Sequence, residues 1–181
     1  MKIFFSQNPT LTIKVCTFAI LHEKMIMDKQ KQYNLLVTQV KSLVEGEDDA
    51  ISVMANVAAL IHETMKFWWT GFYIVRNEEL HLGPFQGPVA CYRIKRGKGV
   101  CGTAWEHNET IVVQDVEQFP GHIACISESR SEIVVPVRDS NGEVIAVLDI
   151  DSRELATFDD TDSLHLEAIS AIIAPIIEDH R

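Results

Sequence analysis

Three cysteines and three carboxylates carry the chemistry available to this chain. Cys91, Cys101 and Cys125 are spaced C-x9-C and C-x23-C. Zinc sites are usually built from C-x2–4-C pairs, so no structural metal is expected. A lone cysteine is most simply a small buried hydrophobe. Context argues for more here. Cys91 follows a Gly-Pro-rich turn, Cys101 sits within Gly97-Lys98-Gly99-Val100-Cys101-Gly102, and Cys125 ends Pro120-Gly121-His122-Ile123-Ala124. Reactive groups are usually placed in or beside such backbone-permissive loops, and loop cysteines in a reducing cell suggest thiol chemistry.

Two of the three carboxylates come from the segment Glu143 to Asp151. Strand alternation places Val144, Ala146, Leu148 and Ile150 on one face, and Ile145, Val147, Asp149 and Asp151 on the other. The two aspartates then lie about 6–7 Å apart on one face. Across a hairpin signalled by Ser140-Asn141-Gly142, Glu132 falls near the same strand end. Three carboxylates there repel unless a cation lies between them or one keeps its proton. The plain alternative is a solvated strand end. The functional one is a site for a cation, a metal or a substrate ammonium, with a raised-pKa acid available. No histidine falls at metal-ligand spacing, since His62-Glu63 lacks the second histidine of H-E-x-x-H. Trp69 and Tyr73 share a strand face and suit either core packing or the wall of a small-molecule pocket.

These residues need elements to hold them. The chain has 181 residues, 46% of them apolar, enough for one domain with a full core. Twenty-six acidic against sixteen basic residues give a net charge of −10, which disfavours nucleic-acid and anionic-membrane partners. No apolar run is long enough to span a membrane. Residues 1–26 stand apart. Lys14 splits their apolar stretch and no small-x-small cleavage site follows, which argues against a secretory signal. The segment, which contains Cys16, is an N-terminal extension, and Met25 and Met27 leave open a misassigned start.

Residues 27–181 form the expected domain. Tyr33, Leu36, Val37, Val40, Leu43 and Val44 mark one helix, and Glu47-Asp48-Asp49 opens a second presenting Ile51, Met54, Ala58, Ile61 and Met65. Strands are expected at Trp68–Val75, Leu80–Leu82, Val89–Ile94, Thr110–Val113, Ile133–Val137 and Val144–Ile150, with Gly83–Pro88 as loop and a short helix over Val100–Glu106. A last helix starts from Asp160 or Thr161 as N-cap, and Pro175 is expected to bend or shorten it. Hairpins dominate over βαβ units. The fold class is therefore α+β, with a central antiparallel sheet of about six strands. Gly97-x-Gly99-x-x-Gly102 matches a dinucleotide fingerprint, but the helix after it is too short for a parallel crossover, so the match is a decoy.

Taken in order, several segments resemble the free methionine-R-sulfoxide reductases. These are Trp69-Thr70-Gly71-Phe72-Tyr73, Gly83-Pro84-Phe85-Gln86-Gly87 with Ala90-Cys91, and Gly97-x-Gly99-Val100-Cys101-Gly102-Thr103-Ala104. The match continues through Gly121-His122-Ile123-Ala124-Cys125, Ser131-Glu132-Ile133-Val134 and Val147-Leu148-Asp149-Ile150-Asp151-Ser152. The resemblance covers about residue 28 to the C-terminus. It implies a single GAF-like domain, with the N-terminal helices and the C-terminal helix packed on one side of the sheet. It also implies reduction of free L-methionine (R)-sulfoxide with thioredoxin as reductant, no bound cofactor, a cytoplasmic setting and a homodimer. Cys91, Cys101 and Cys125 are implied as redox cysteines, Glu132, Asp149 and Asp151 as the acidic pocket, and Trp69 and Tyr73 as its aromatic wall.

The residues themselves supply a compatible mechanism. A thiolate attacks the sulfoxide sulfur while an acid protonates the oxygen, and a second cysteine resolves the sulfenic acid to a disulfide. Cys125 is the expected nucleophile, being seven positions from Glu132, the expected acid. Cys101, near a helix start that should lower its pKa, is the alternative, and Cys91 is the resolving thiol. The rival class is a GAF-type sensor that binds a small ligand without turnover. It leaves the cysteine set unexplained.

Overall fold

A computed structural model describes residues 28–121 and 128–179. Residues 1–26 and Cys125 therefore lie outside the described residues. Helix α1 covers residues 28–43 and α2 covers Ala50–Met65. Strands β1 (Trp69–Arg76), β2 (Glu79–Gln86) and β3 (Arg93–Lys95) follow, then α3 (Gly99–His107) and β4 (Ile111–Val113). After a 3-10 turn at Val116–Gln118 come β5 (Ser131–Arg138), β6 (Val144–Ser152) and the closing helix α4 (Asp160–Glu178). The six strands form one sheet in the order β3-β2-β1-β6-β5-β4, and every pair is antiparallel. No helix among the described residues is long and apolar enough to cross a membrane.

Alternation divides the side chains of this sheet into two cores. Phe72, Ile133, Val135, Leu148 and Ile150 pack against α1, α2 and α4 through Tyr33, Leu36, Val57, Ile61, Leu166, Ile169 and Ile173. The opposite parity gives Trp69, Tyr73, Val134 and Val147, which pack against α3 through Val100, Cys101, Ala104 and Trp105. The three long helices thus hold one face, and α3 covers part of the other. Helix α1 is also tied to α4 by polar contacts. Tyr33 donates to Asp162 Oδ1 at 2.7 Å, and Lys29 pairs with Asp162.

Several local expectations change in the structure. A register shift between Val137 and Arg138 moves Ile145 into the helix-side core and Val144 into the other, the reverse of simple alternation. From Ala146 onward the expected faces hold. Strand β2 continues through Gly83-Pro84-Phe85 rather than ending at Leu82. A shift between Gly71 and Tyr73 gives β2 an extra residue there, and its bonding toward β3 ends with Leu82 N–H donating to the Tyr92 carbonyl, so Pro84 lacks no ladder partner. Conversely, Val89 and Tyr92 are more than four-fifths exposed, and only Arg93–Lys95 pair as strand. In α2, Ile51 is half exposed, while Val53 and Val57 join Met54, Ala58 and Ile61 in the core. The N-cap of α4 is Asp159, closed into a capping box with Asp162, and the helix runs past Pro175 to Glu178.

The glycine run before α3 is a packing device. Gly97 and Gly99 have φ of +70° and +59°, and Gly102 abuts the sheet edge so closely that a Cβ there would lie 2.3 Å from the Lys95 carbonyl oxygen. Because that neighbour is backbone, α3 must move to admit a methyl group. Gly102→Ala is expected to cost about 2–3 kcal/mol, read as a lower urea midpoint. An unchanged midpoint would contradict this close seating of α3.

Candidate active site

The strand register brings the acidic residues together. Glu132 on β5 lies directly opposite Asp151 on β6, and Val134 lies opposite Asp149. On the other side of β6, Trp69 pairs with Asp151, Gly71 with Asp149 and Tyr73 with Val147. Residues 69, 71 and 73 thus line up beside 151, 149 and 147 on the α3-facing side. Gly71 is required there. A Cβ at this position would fall 2.5 Å from the Trp69 ring and 2.4 Å from Phe85 Cβ. The space it leaves holds an aromatic stack, with Trp69 and Phe85 centroids 5.4 Å apart and Trp69 and Tyr73 6.2 Å apart. The Trp69 indole donates to the Pro88 carbonyl at 3.0 Å, which fixes the ring and anchors the segment leading to Cys91.

Helix α3 closes the arrangement from above. It delivers Cys101, a free and buried thiol, whose Sγ donates to Glu132 Oε1 at 3.9 Å. Cys101, Glu132 and Asp149 each present a ligating atom within 4.8 Å of the other two. All three carboxyl groups are buried, with Glu132, Asp149 and Asp151 only 5–6% exposed. Ser129 donates to Asp151, whereas Asp149 Oδ1 has no donor partner. A buried carboxylate oxygen with no donor is costly unless it is protonated or meets a cation.

Electrostatics follow from this crowding. Burial, then the neighbouring aspartates, raise the Glu132 pKa well above the ordinary carboxylate range. Burial and Asp151 do the same to Asp149. Asp151 is pushed up to about 6 by burial, against the pull of the Ser129 hydrogen bond. The Cys101 thiol is raised by burial and then by Asp149, Glu132 and Asp151. The expected lowering of its pKa by the helix start is therefore not what the structure shows. Among the described residues, no cationic side chain contacts this cluster to offset the carboxylates.

Burial of these carboxyl groups makes the stability of the fold pH-dependent. Folded-state pKa values above those of the unfolded chain mean that folding takes up protons. Stability is then complete below the ordinary carboxylate pKa and is lost as pH rises through the raised values, about 6 for Asp151. Asp149→Asn, which removes one member at nearly constant shape, is expected to raise the thermal midpoint at pH 8 by at least several degrees, at about 2–4 °C per kcal/mol. The gain should shrink toward pH 4. An equal midpoint at both pH values would contradict the mutual repulsion.

Sequence reasoning placed Glu132, Asp149, Asp151, Trp69 and Tyr73 in one site, and the structure brings them together with Cys101. Cys91, in the segment after β2, packs partly against the same core and is disulfide-bonded. Cys125 and His122 lie outside the described residues. Ser129 and Phe85 were not given roles. Ser129 is two residues before β5, where its hydroxyl can reach back to Asp151, and Phe85 became visible only once β2 was seen to continue past Pro84.

This sheet, with α3 laid across the pocket face, is the architecture of a GAF domain, and the GAF domain family matches residues 47–178. The chain is 50% identical over 146 residues to GAF domain-containing protein A of Dictyostelium discoideum, covering 80% of this chain and 92% of that protein. It is 41% identical over 152 residues to the free methionine-R-sulfoxide reductase of Escherichia coli (83% and 92% covered). The structure of the Neisseria meningitidis free methionine-R-sulfoxide reductase in complex with its substrate matches with a TM-score of 0.80 at 48% identity, over 83% of this chain and 90% of that one. Within the GAF-domain proteins, the chain belongs to the free methionine-R-sulfoxide reductase family of oxidoreductases.

Proposed function

We propose that this chain reduces free L-methionine (R)-sulfoxide to L-methionine with its own thiols. The observation that carries the reading is the donor-free oxygen of buried Asp149 beside Glu132 and under the Trp69–Tyr73 wall. Such a site favours a ligand that brings positive charge with apolar bulk, and the ammonium and the methylene and S-methyl groups of a free methionine sulfoxide meet both needs. A peptide-bonded methionine lacks that charge. Asp149 and Asp151 hold the ammonium in this reading, and Glu132, kept protonated by burial and its neighbours, is the acid.

The Cys125 thiolate attacks the sulfoxide sulfur as Glu132 protonates the oxygen. Transfer of the resulting hydroxyl to the cysteine sulfur releases methionine and leaves Cys125 as a sulfenic acid. The Cys91 thiol displaces water from it, forming a disulfide. Thioredoxin then reduces that disulfide by thiol exchange. Two features support these roles. Cys101 is held as a thiol by its surroundings, which suits it to a site-lining role rather than to attack. Cys91 is disulfide-bonded while Cys101 is free, and we assign Cys125 as its partner in turnover. The reading includes a cytoplasmic, reducing setting and a homodimer.

A single-turnover experiment tests the proposal. Fully reduced protein mixed with free (R)-sulfoxide, without added reductant, should yield one methionine per chain and a Cys91–Cys125 disulfide in a peptide map. Tight binding of the sulfoxide with no methionine formed would sink the proposal in favour of a ligand sensor.

A further inference from the structure

We propose that Cys101, Glu132 and Asp149 also form a binding site for a thiophilic divalent cation of the zinc class, which shuts the pocket when it binds. The three residues lie far apart in sequence, on α3, β5 and β6, so no spacing motif reveals them. In space their ligating atoms lie within 4.8 Å of one another, and Cys101 Sγ is 3.9 Å from Glu132 Oε1. Zinc held at about 2.3 Å from sulfur and about 2.0–2.2 Å from oxygen in a tetrahedron sets its ligands about 3.3–3.7 Å apart. Small side-chain rotations therefore close the set. Asp149 Oδ1, buried and without a donor, is an independent sign that the cluster is short of positive charge.

One thiolate and two carboxylates supply three ligands, the number found at zinc sites that keep an open fourth position. Trp69, Tyr73 and Cys101 pack in the same core, so a cation held there occupies the proposed substrate pocket. Binding is an exchange without redox chemistry. The cation displaces the Cys101 thiol proton, and any proton on the carboxyl groups, into the buffer. The predicted competition with the sulfoxide rests on the function proposed above. The metal site itself does not, because it needs only the three side chains.

Cadmium is the probe, because its bond to a thiolate gives an ultraviolet charge-transfer band. The full chain is titrated with its Cys91 disulfide intact, alongside Cys16→Ser to remove background from that thiol. The expected result is one equivalent of Cd2+, displaced by Zn2+. The band should vanish in Cys101→Ala, and affinity should fall at least tenfold in Asp149→Asn, with circular dichroism showing both variants folded. Absence of the band in the parent protein overturns the site, as does its persistence in Cys101→Ala or undiminished affinity in Asp149→Asn. Release of Cd2+ by free methionine (R)-sulfoxide supports the pocket-closing role. Retention against saturating sulfoxide, with the variants behaving as expected, leaves the metal site standing and overturns the closure.

Discussion

Cys125→Ser will form no methionine from the sulfoxide, even with dithiothreitol in excess, a loss of at least about 10³-fold in turnover. A hydroxyl at this position cannot attack sulfur at neutral pH. Cys101 is within the pocket, but burial and three carboxylates hold it protonated, and the thiolate is the nucleophile. Cys91→Ser separates chemistry from recycling. Its sulfenic acid on Cys125 still reacts directly with a small thiol, so turnover should persist with dithiothreitol and collapse with thioredoxin. Full single-turnover yield from Cys125→Ser would move the attack to another cysteine and undo the assignment.

Glu132→Gln is expected to lower kcat about 10²–10³-fold with a much smaller change in KM, the effect of removing a proton donor. The amide keeps shape but cannot protonate the sulfoxide oxygen. Asp149→Asn should show the opposite split. It removes a charge that meets the ammonium, so KM rises steeply and kcat falls less. The steady-state constants of the two variants, measured with dithiothreitol, decide the matter. Equal losses in KM for both would make the carboxylates a single binding patch with no acid among them. Asp149→Asn is also the variant expected to melt later at pH 8. A variant that gains stability as it loses substrate binding is what a repulsive cluster kept for function should give.

Much of this site was legible because strand alternation and hairpin register are simple counting rules. Asp149 and Asp151 share a face by period two, and the Asn141-Gly142 turn puts Glu132 opposite Asp151. The helical face of α1 follows in the same way from the spacing of Tyr33, Leu36 and Val40. Counting failed at Ile145, where the extra residue of a bulge reverses the faces before it, and the Gly-Pro composition of residues 83–88 read as loop although β2 continues to Gln86. Strand propensity also misled at Val89–Tyr92, where the segment reads as strand but only the Tyr92 carbonyl joins the sheet, accepting from Leu82 N on β2 at 3.0 Å. The placement of Cys101 against Glu132 was out of reach for a different reason. It depends on how α3 folds across the sheet, a tertiary contact made possible by Gly102 against the Lys95 carbonyl. The electrostatic argument for a reactive Cys101 saw the helix start but not the three carboxyl groups beneath it.

In the proposed reaction the acidic pocket reads the ammonium of a free methionine sulfoxide and the thiols reduce its sulfur. A coupled assay with thioredoxin, thioredoxin reductase and NADPH tests it most directly, comparing free methionine (R)-sulfoxide, the free (S) form and N-acetylated (R)-sulfoxide. NADPH consumption is expected with the free (R) form alone. Equal rates on the acetylated substrate would contradict the ammonium site, and no consumption with any of the three would contradict the reductase itself.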